Sequence, residues 1–428
     1  MELLQYRPSP GAITIPSSQE SRSSLKTINN VTPIDGNQIL SWQNLTHIYT
    51  LISAYGGPAC FLPANAYFVL GSTKGPVLIF DDKEYLQSIL APSCSTSNST
   101  TTSLNSNLNS IQGIRSPVTH LAISWDGTHL AAAYETGDIF IWDLNRSTKP
   151  RDERENIDVT IDHDPLDEIS PVYAILHITK HVGSSINGLE FRDRRHTAIV
   201  VSDLNGNVYY HNGHRTKLWQ LTYSSTRMLT IPSNEILLST SLHTVQKSNG
   251  MLAILTNKLF CITTVEQTLN ENDSVIKKKN HNPAMTPLIL YKNDVTVTLL
   301  NNQNRNYSIV PNNGISWYSD PKTSSSVIYL SYFINSIVST LVFRSTDQRK
   351  FQLLQDSTTW QAPEPVLSIT WISRSLLMLL TVSHQLIVVQ PYDNFRIIMT
   401  IDLLPHNLLI PPNRFFKFYR NKLILLTH

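Results

Sequence analysis

Three stretches of the chain repeat one short pattern: GSTKGPVLIFD from Gly71 to Asp81, AYETGDIFIWD from Ala133 to Asp143, and SDLNGNVYYH from Ser202 to His211. Each reads as the end of one strand, a tight turn that reaches Gly75, Gly137 or Gly206, and a second strand of alternating apolar residues. A lone hairpin cannot bury its apolar face, so a chain that repeats one has to stack the copies. The pattern therefore predicts an all-β chain, a β-propeller of divergent WD repeats.

Turn positions give the blade count. Hairpin turns fall near residues 75, 137, 206, 258, 304, 348 and 385, the later ones at Thr256-Asn257, Asn302-Gln303, Asp347-Gln348 and Ser383-His384. The later spacings approach the roughly 40 to 45 residues of a WD blade, so seven blades are expected, with six and eight as the alternatives. Residues 1–40, rich in Ser, Pro and Asn, read as a disordered tail, and 41–428 as the propeller. THIYTLIS, from Thr46 to Ser53, reads as a strand that helps close the array with the hairpin in 406–428; a lead into a missing α-solenoid is the other reading of that hairpin. Two insertions interrupt the first blades. Residues 91–116 are low-complexity Ser, Thr and Asn, and 145–172 include eight acidic residues against two arginines between Arg151 and Ile169. The chain stops just after a strand-like run, which suggests a longer parent protein.

Composition excludes several classes. With a formal net charge of +2, no global field draws the protein to nucleic acid or acidic lipid, so partner choice has to be local. Cys60, Cys94 and Cys261 are odd in number and lack metal-ligand spacing, which fits reduced thiols. No secretory leader opens the chain, and its longest apolar run, from Val327 to Phe343, is broken by serines, Asn335 and Thr340.

The search for chemistry returns structure instead. No G-x-S-x-G, G-x-G-x-x-G, Walker loop or H-E-x-x-H is present, so no catalytic or cofactor-binding residue is assigned. GSTKG at Gly71–Gly75 lacks the Gly-Lys-Ser/Thr order of a phosphate loop and reads as a blade turn. His211 with His214, His177 with His181, and the triplet Asp162-His163-Asp164 have metal-like spacings, but lie on separate strands and loops and are read as structural. The acidic insertion cannot hold a glycosidase pair rigidly, and Lys277–Lys279 lacks interleaved aromatics for nucleic acid. Gly75, Asp126, Gly127, Gly137, Trp142, Asp143, Asp203 and Gly206 form the structural blade motif, with Glu135 where a turn Asp is expected.

Blades two and three are more specific than this general pattern. VTHLAISWDGTHLAAAYETGDIFIWDL, HITKHVGSSINGLEF and AIVVSDLNGNVYYH resemble the N-terminal propeller of the CORVET tethering subunits that bind endosomal Rab GTPases, the eighth class of vacuolar protein sorting proteins. Asp126-Gly127, Gly137, Trp142-Asp143, His181, Gly183, Ile186, Asp203 and Gly206 carry the resemblance, and APEPVLSITWISRSLLMLLTVSHQLIVV is similar to that family's final blade. It covers the chain from about Trp42 onward. The resemblance implies a longer parent with an α-solenoid and a RING domain, assembly with other tethering subunits, and peripheral recruitment to early or late endosome membranes by a GTP-loaded Rab. It supplies no contact residues. Because Tyr, Trp and Arg concentrate binding energy, Arg192, Arg194, Arg195, Tyr209, Tyr210 and Trp219 are the candidate partner-binding residues. The competing readings are a coat or ubiquitin-ligase scaffold and a glycan-hydrolysing propeller.

Overall fold

The computed structural model describes residues 2–6, 40–44, 46–64, 67–81, 85–94, 115–146, 171–192, 198–215, 221–243, 250–265, 289–295, 300–301, 308–309, 312–319, 327–345, 351–403, 416–419 and 422–425. The chain opens with β1 (Glu2–Tyr6), β2 (Leu40–Asn44) and one helix, α1 (Thr46–Ala54). There follow β3 (Pro58–Pro63), β4 (Tyr67–Ser72), β5 (Val77–Asp81), β6 (Leu86–Cys94), β7 (Val118–Ile123), β8 (His129–Tyr134) and β9 (Ile139–Asp143). Two short strands, β10 (Val172–Ala174) and β11 (Leu176–Ile178), precede β12 (Ile186–Phe191), β13 (Ala198–Asp203), β14 (Asn207–Arg215) and β15 (Leu221–Thr230). Next come β16 (Leu237–His243), β17 (Gly250–Thr256), β18 (Leu259–Val265), β19 (Ile289–Asp294), β20 (Leu300–Asn301), β21 (Ser308–Ile309), β22 (Asn313–Ser319) and β23 (Val327–Ile334). The last strands are β24 (Ile337–Ser345), β25 (Phe351–Gln361), β26 (Val366–Ser373), β27 (Leu376–Thr381), β28 (Gln385–Gln390), β29 (Arg396–Asp402), β30 (Phe416–Tyr419) and β31 (Lys422–Leu425).

The strands assemble into repeated antiparallel sheets, and the chain divides into two compact units. The larger comprises residues 47–315 and 344–352, with sheets β3–β6, β7–β9 plus β11, β12–β15 and β16–β19. Its first strands β3, β7, β12 and β16 lie side by side in that order. Each pair of consecutive sheets buries a common core: Val69, Val77 and Leu90 with Leu130, Tyr134 and Trp142; Ala131 and Ile141 with Leu189 and Val201; Val200 and Tyr210 with Leu252 and Ile254. Sheets packed face to face around adjacent first strands are blades of a propeller. The other unit holds β22–β25 apart from strand ends, β26–β29, and a sheet ordered β2-β1-β31-β30.

Polar ties lock one blade to the next. Trp142 Nε1 donates to the Ala91 carbonyl at 3.2 Å, Tyr134 Oη to Gly75 O at 2.8 Å, and Tyr67 Oη to Gly127 O at 2.8 Å, so the Trp142 indole is spent on a neighbouring blade. The fourth strand of this second blade arrives late. After the acidic insertion, β10 adds in parallel to the outer edge of the preceding sheet beside β6, and only then does β11 pair with β9.

Four readings of the sequence are corrected. THIYTLIS is helix, because Ile48, Leu51, Ile52 and Tyr55 recur at helical spacing and three of them are fully buried; Gly56 and Gly57 then cap it, Gly57 N donating to Ile52 O. Glu2–Tyr6, assigned to a disordered tail, is a strand between β2 and β31, and it is this segment that joins the C-terminal hairpin. In β22–β25 the second-to-third-strand turn is Asn335–Ser336 rather than Asp347-Gln348; residues 346–350 lie between β24 and β25, outside the described residues. Near Asn302 the described residues form a two-stranded hairpin, β20–β21, rather than a four-stranded sheet. Among the described residues the sheets number six of four strands, one of five and one of two. Most of the 91–116 and 145–172 insertions, including the Asp162-His163-Asp164 triplet, and all of Lys277–Lys279 lie outside the described residues.

The turn glycines Gly75, Gly127, Gly137 and Gly206 all have positive φ, as the repeat demands. Gly137 is the most constrained, since a Cβ there would stand 2.0 Å from the His181 carbonyl oxygen at φ +89°. Gly183 has a similar φ of +87° and open space around it. Gly137→Ala is therefore expected to lower stability by upwards of about 3 kcal/mol, and Gly183→Ala by only about 1 kcal/mol, in denaturant unfolding of the same chain. Equal losses would refute the close-approach account.

Candidate protein-interaction face

Antiparallel strands bring two kinds of connection to one end of each blade: the turn between its second and third strands, and the loop that leads into its first strand. Two backbone hydrogen bonds recur there. In the first, the opening residue of the turn donates to the residue before or near the first strand: Thr73 to Gly57, Glu135 to Pro117, Leu204 to Ser185, Asn257 to Ile236 and Val382 to Pro365, at 2.9–3.1 Å. In the second, a turn carbonyl accepts from the residue that leaves the sheet or enters the next: Thr136 from Gly183, Gly206 from Ile231, Lys258 from Val295, Ser336 from Ala362 and His384 from Leu403, at 2.7–3.0 Å. Both connections are thus held by main chain, whatever side chains they carry.

Beneath the turns, side chains repeat the tie. In the third blade Asp203 ends β13 and accepts from Asn207 N at 3.0 Å, while its other oxygen takes His181 Nδ1 at 3.1 Å. His181 Nε2 meets His211 Nε2 at 2.9 Å, and His211 Nδ1 meets Ser225 Oγ at 2.9 Å. With both imidazoles neutral only one proton order satisfies every atom: Ser225 donates to His211, His211 to His181, and His181 to Asp203. Burial would raise the Asp203 carboxyl, but the His181 and Asn207 hydrogen bonds and the His181 charge outweigh it and hold it below the usual range. His211, 0% exposed, is pushed down to about 3 by burial first and by the charges of His181 and Lys180 second.

Later blades keep the tie and exchange its chemistry. Where the third blade has His181 in the leading loop and Asp203 in the turn, Glu235 accepts from Thr256 Oγ1 at 2.9 Å, and Glu364 accepts from the Ser383 hydroxyl. The carboxylate has moved from turn to loop. Thr256 Oγ1 still receives Leu259 N at 2.9 Å, as Thr381 Oγ1 receives Gln385 N at 3.3 Å, so each hydroxyl keeps the turn-stapling role of Asp203. In the second blade Asp138, just after Gly137, takes Thr136 Oγ1 at 2.7 Å and His177 Nε2 at 2.8 Å. That pair was missed in the sequence, where Glu135 drew attention as the degenerate turn position. Asp126 staples the other end of its hairpin, accepting from Ser124 and Thr128, and Asp143 accepts from Asn145 N.

The histidines of those spacings take different partners: His177 goes to Asp138, His181 joins His211, and exposed His214 bonds Thr222. Of the partner-binding candidates, Arg192, Tyr209 and Tyr210 lie among the described residues. Tyr210 is 2% exposed and packed in the core between third and fourth blades, a correction that follows from its inward position on β14; Arg192 lies over its ring at 5.0 Å. Tyr209 is half-buried, edge-on to His181 at 5.0 Å. Arg194, Arg195 and Trp219 lie outside the described residues. What the structure does expose at the turn end is Val182 (58%) and Leu204 (59%), among exposed Lys74, Glu135, Lys180 and Lys258. Sequence signals existed for both apolar residues, since each interrupts a polar turn.

A profile of the Vps8 β-propeller family matches residues 38–418. The chain belongs to that family. Vacuolar protein sorting-associated protein 8 of Saccharomyces cerevisiae is 35% identical over 398 residues, which cover 91% of this chain and 27% of that relative. Among solved structures, the Cps50 (Swd1) β-propeller domain of Myceliophteria thermophila matches 87% of this chain and 97% of its own at 10% identity and a TM-score of 0.46. U3-55K matches 84% of each chain at 12% identity and a TM-score of 0.44.

Burial of His211 makes this Vps8-family propeller acid-sensitive. His211 binds no proton in the folded state until about pH 3, whereas the unfolded chain binds one below its ordinary value of 6.5. Stability from this residue is complete above that value and falls as pH drops, by about 1.4 kcal/mol per pH unit, or about 2 kcal/mol by pH 5. His243, pushed down to about 4 by burial, adds in the same direction. Urea unfolding between pH 7 and 5 should show this slope, and His211→Gln should reduce it by close to one proton; an unchanged slope would contradict a neutral, buried His211.

Proposed function

We propose that this propeller is a non-catalytic protein-interaction module of an endosomal vesicle-tethering complex. It binds an endosomal Rab GTPase in its GTP form and other subunits of the complex, and associates peripherally with early or late endosome membranes through these partners. Membership of the Vps8 β-propeller family supports the trafficking role. The observation that carries the interaction role is the turn end of the larger unit, where backbone ties fix the loops and leave Val182 and Leu204 exposed among lysines. Rigid loops with apolar centres and charged rims lose little entropy on binding, which is what a protein-recognition surface needs.

Capture of purified Rab GTPases loaded with a GTP analogue or GDP tests this reading. Binding is expected only to the GTP-analogue form of an endosomal Rab. Val182→Asp with Leu204→Asp should weaken it at least about 30-fold, as loss of a central contact does, without changing the unfolding midpoint. Equal capture of both nucleotide states, or none, would defeat the Rab reading. Loss on Arg194→Ala with the double variant still binding would move the contact away from Val182 and Leu204.

A further inference from the structure

Where the connection from the second blade reaches the outer strands of the third, one aromatic ring gathers two cations. Tyr209 on β14 stands edge-on to His181 at 5.0 Å and is stacked on His211 at 5.9 Å and 22°, so the buried pair holds the ring on two sides. Lys180 Nζ lies over the same ring, 5.8 Å from its centroid. Arg227 on β15 stands directly opposite Tyr209 in the antiparallel ladder, and directly opposed side chains project from the same face of a sheet. Both cations are exposed, and the tyrosine is half-buried.

The loop that brings Lys180 here is fixed. Thr179 N donates to the Tyr223 hydroxyl at 3.3 Å, Val182 N to Thr179 O at 3.3 Å, Ser184 N to His181 O at 2.8 Å, and Gly183 N to Thr136 O at 2.9 Å. Lys180 is thus set two residues before exposed Val182, and the same loop ties to exposed Leu204, whose N–H bonds Ser185 O at 2.9 Å. Its charge is felt inward as well, adding to the lowering of His211 that burial and His181 begin. No anion answers these cations. Among the described residues neither Lys180 nor Arg227 has an ion-pair partner: Asp203 is buried against His181 and Asn207, and exposed Glu135 on the second-blade turn pairs with neither.

Two like charges brought to one ring repel, and a carboxylate between them relieves the repulsion while the ring packs the stem that carries it. The size of the cluster decides the kind of anion. Adsorption to an anionic membrane takes clusters of about four to eight basic residues, whereas two cations beside fixed apolar side chains match a protein segment that carries carboxylates next to apolar residues. We propose that Lys180, Tyr209 and Arg227 form a basic flank of the Val182–Leu204 surface and bind an acidic segment of a partner protein. Its carboxylates pair with the Lys180 ammonium and the Arg227 guanidinium across the Tyr209 ring. The site rests on the turn end being a protein-interaction face, and not on the partner being a Rab.

The test uses the full chain and a fluorescein-labelled Glu-Glu-Leu-Glu-Glu-Leu peptide, followed by anisotropy. Binding is expected to saturate, and to weaken as NaCl rises from about 0.05 to about 0.5 M. Lys180→Glu and Arg227→Glu should each weaken it about 5- to 20-fold at the lower salt with the unfolding midpoint unchanged, and Lys292→Glu, an exposed cation on β19, should bind as the parent does. The proposal fails if the peptide does not saturate, if its Gln-for-Glu version binds equally, if either charge reversal binds as the parent does, or if Lys292→Glu weakens binding as much as they do. It also fails if phosphatidylcholine vesicles with about 30% phosphatidylserine bind and the peptide does not. Capture of no Rab, or of both nucleotide states equally, together with peptide binding that needs Lys180 and Arg227, defeats the Rab reading and leaves this site standing. Rab capture in the GTP-analogue form alone, with both reversals binding peptide as the parent does, defeats this site and leaves the Rab reading.

Discussion

Everything at the turn end depends on a pair of main-chain hydrogen bonds, one from the start of the turn to the loop leading into the blade, one from the departing chain to the turn's carbonyl. Five examples of each span both units. Because neither uses a side chain, the tie survives turns as different as Glu135-Thr136-Gly137, Leu204-Asn205-Gly206 and Val382-Ser383-His384. Backbone groups that would otherwise be stranded at the ends of the sheets are paired in the same stroke.

With the backbone thus held, the side-chain staple under each turn is free to drift. The slot needs one donor and one acceptor across the gap between loop and turn, and does not specify which side supplies the charge. His181 with Asp203, Glu235 with Thr256 and Glu364 with Ser383 are three solutions of one geometric problem. The first is the costliest in acid, since it extends through His211 to Ser225 and keeps a buried imidazole neutral. Exchanging the positions of acid and hydroxyl preserves the blade while erasing the motif, which is why the repeat is clear in the second and third blades and faint in later ones.

That difference sets what the sequence could disclose. Gly75, Gly137 and Gly206 were legible because positive φ has one cheap residue, and Trp142 because a buried indole on a third strand needs a neighbouring carbonyl. Asn335, His384 and Thr256–Asn257 do the same turn work without glycine, so spacing had to locate them, and in the β22–β25 sheet it chose the wrong turn. THIYTLIS was misread through its β-branched residues, although its apolar period is helical. Pairing of Glu2–Tyr6 with Lys422–Leu425 left no local trace at all, being a contact across nearly the whole chain. The candidate site was the least legible part: Tyr210 attracted attention as a tyrosine, and its core position follows from register with Val200, which sequence alone did not supply.

The same turns show how binding and folding residues can share a few positions without interfering. In the third blade Asp203 and Gly206 are committed, one to His181 and Asn207, the other to positive φ and to Ile231. Leu204 between them contributes only its main-chain N–H, and its side chain faces water. Val182 is placed likewise, beside buried His181 and tied Gly183. Positions of this kind can be exchanged for acid, amide or aromatic without touching the core or the ties. A blade end therefore acquires a new partner through its free positions, while the committed ones keep presenting them in the same place.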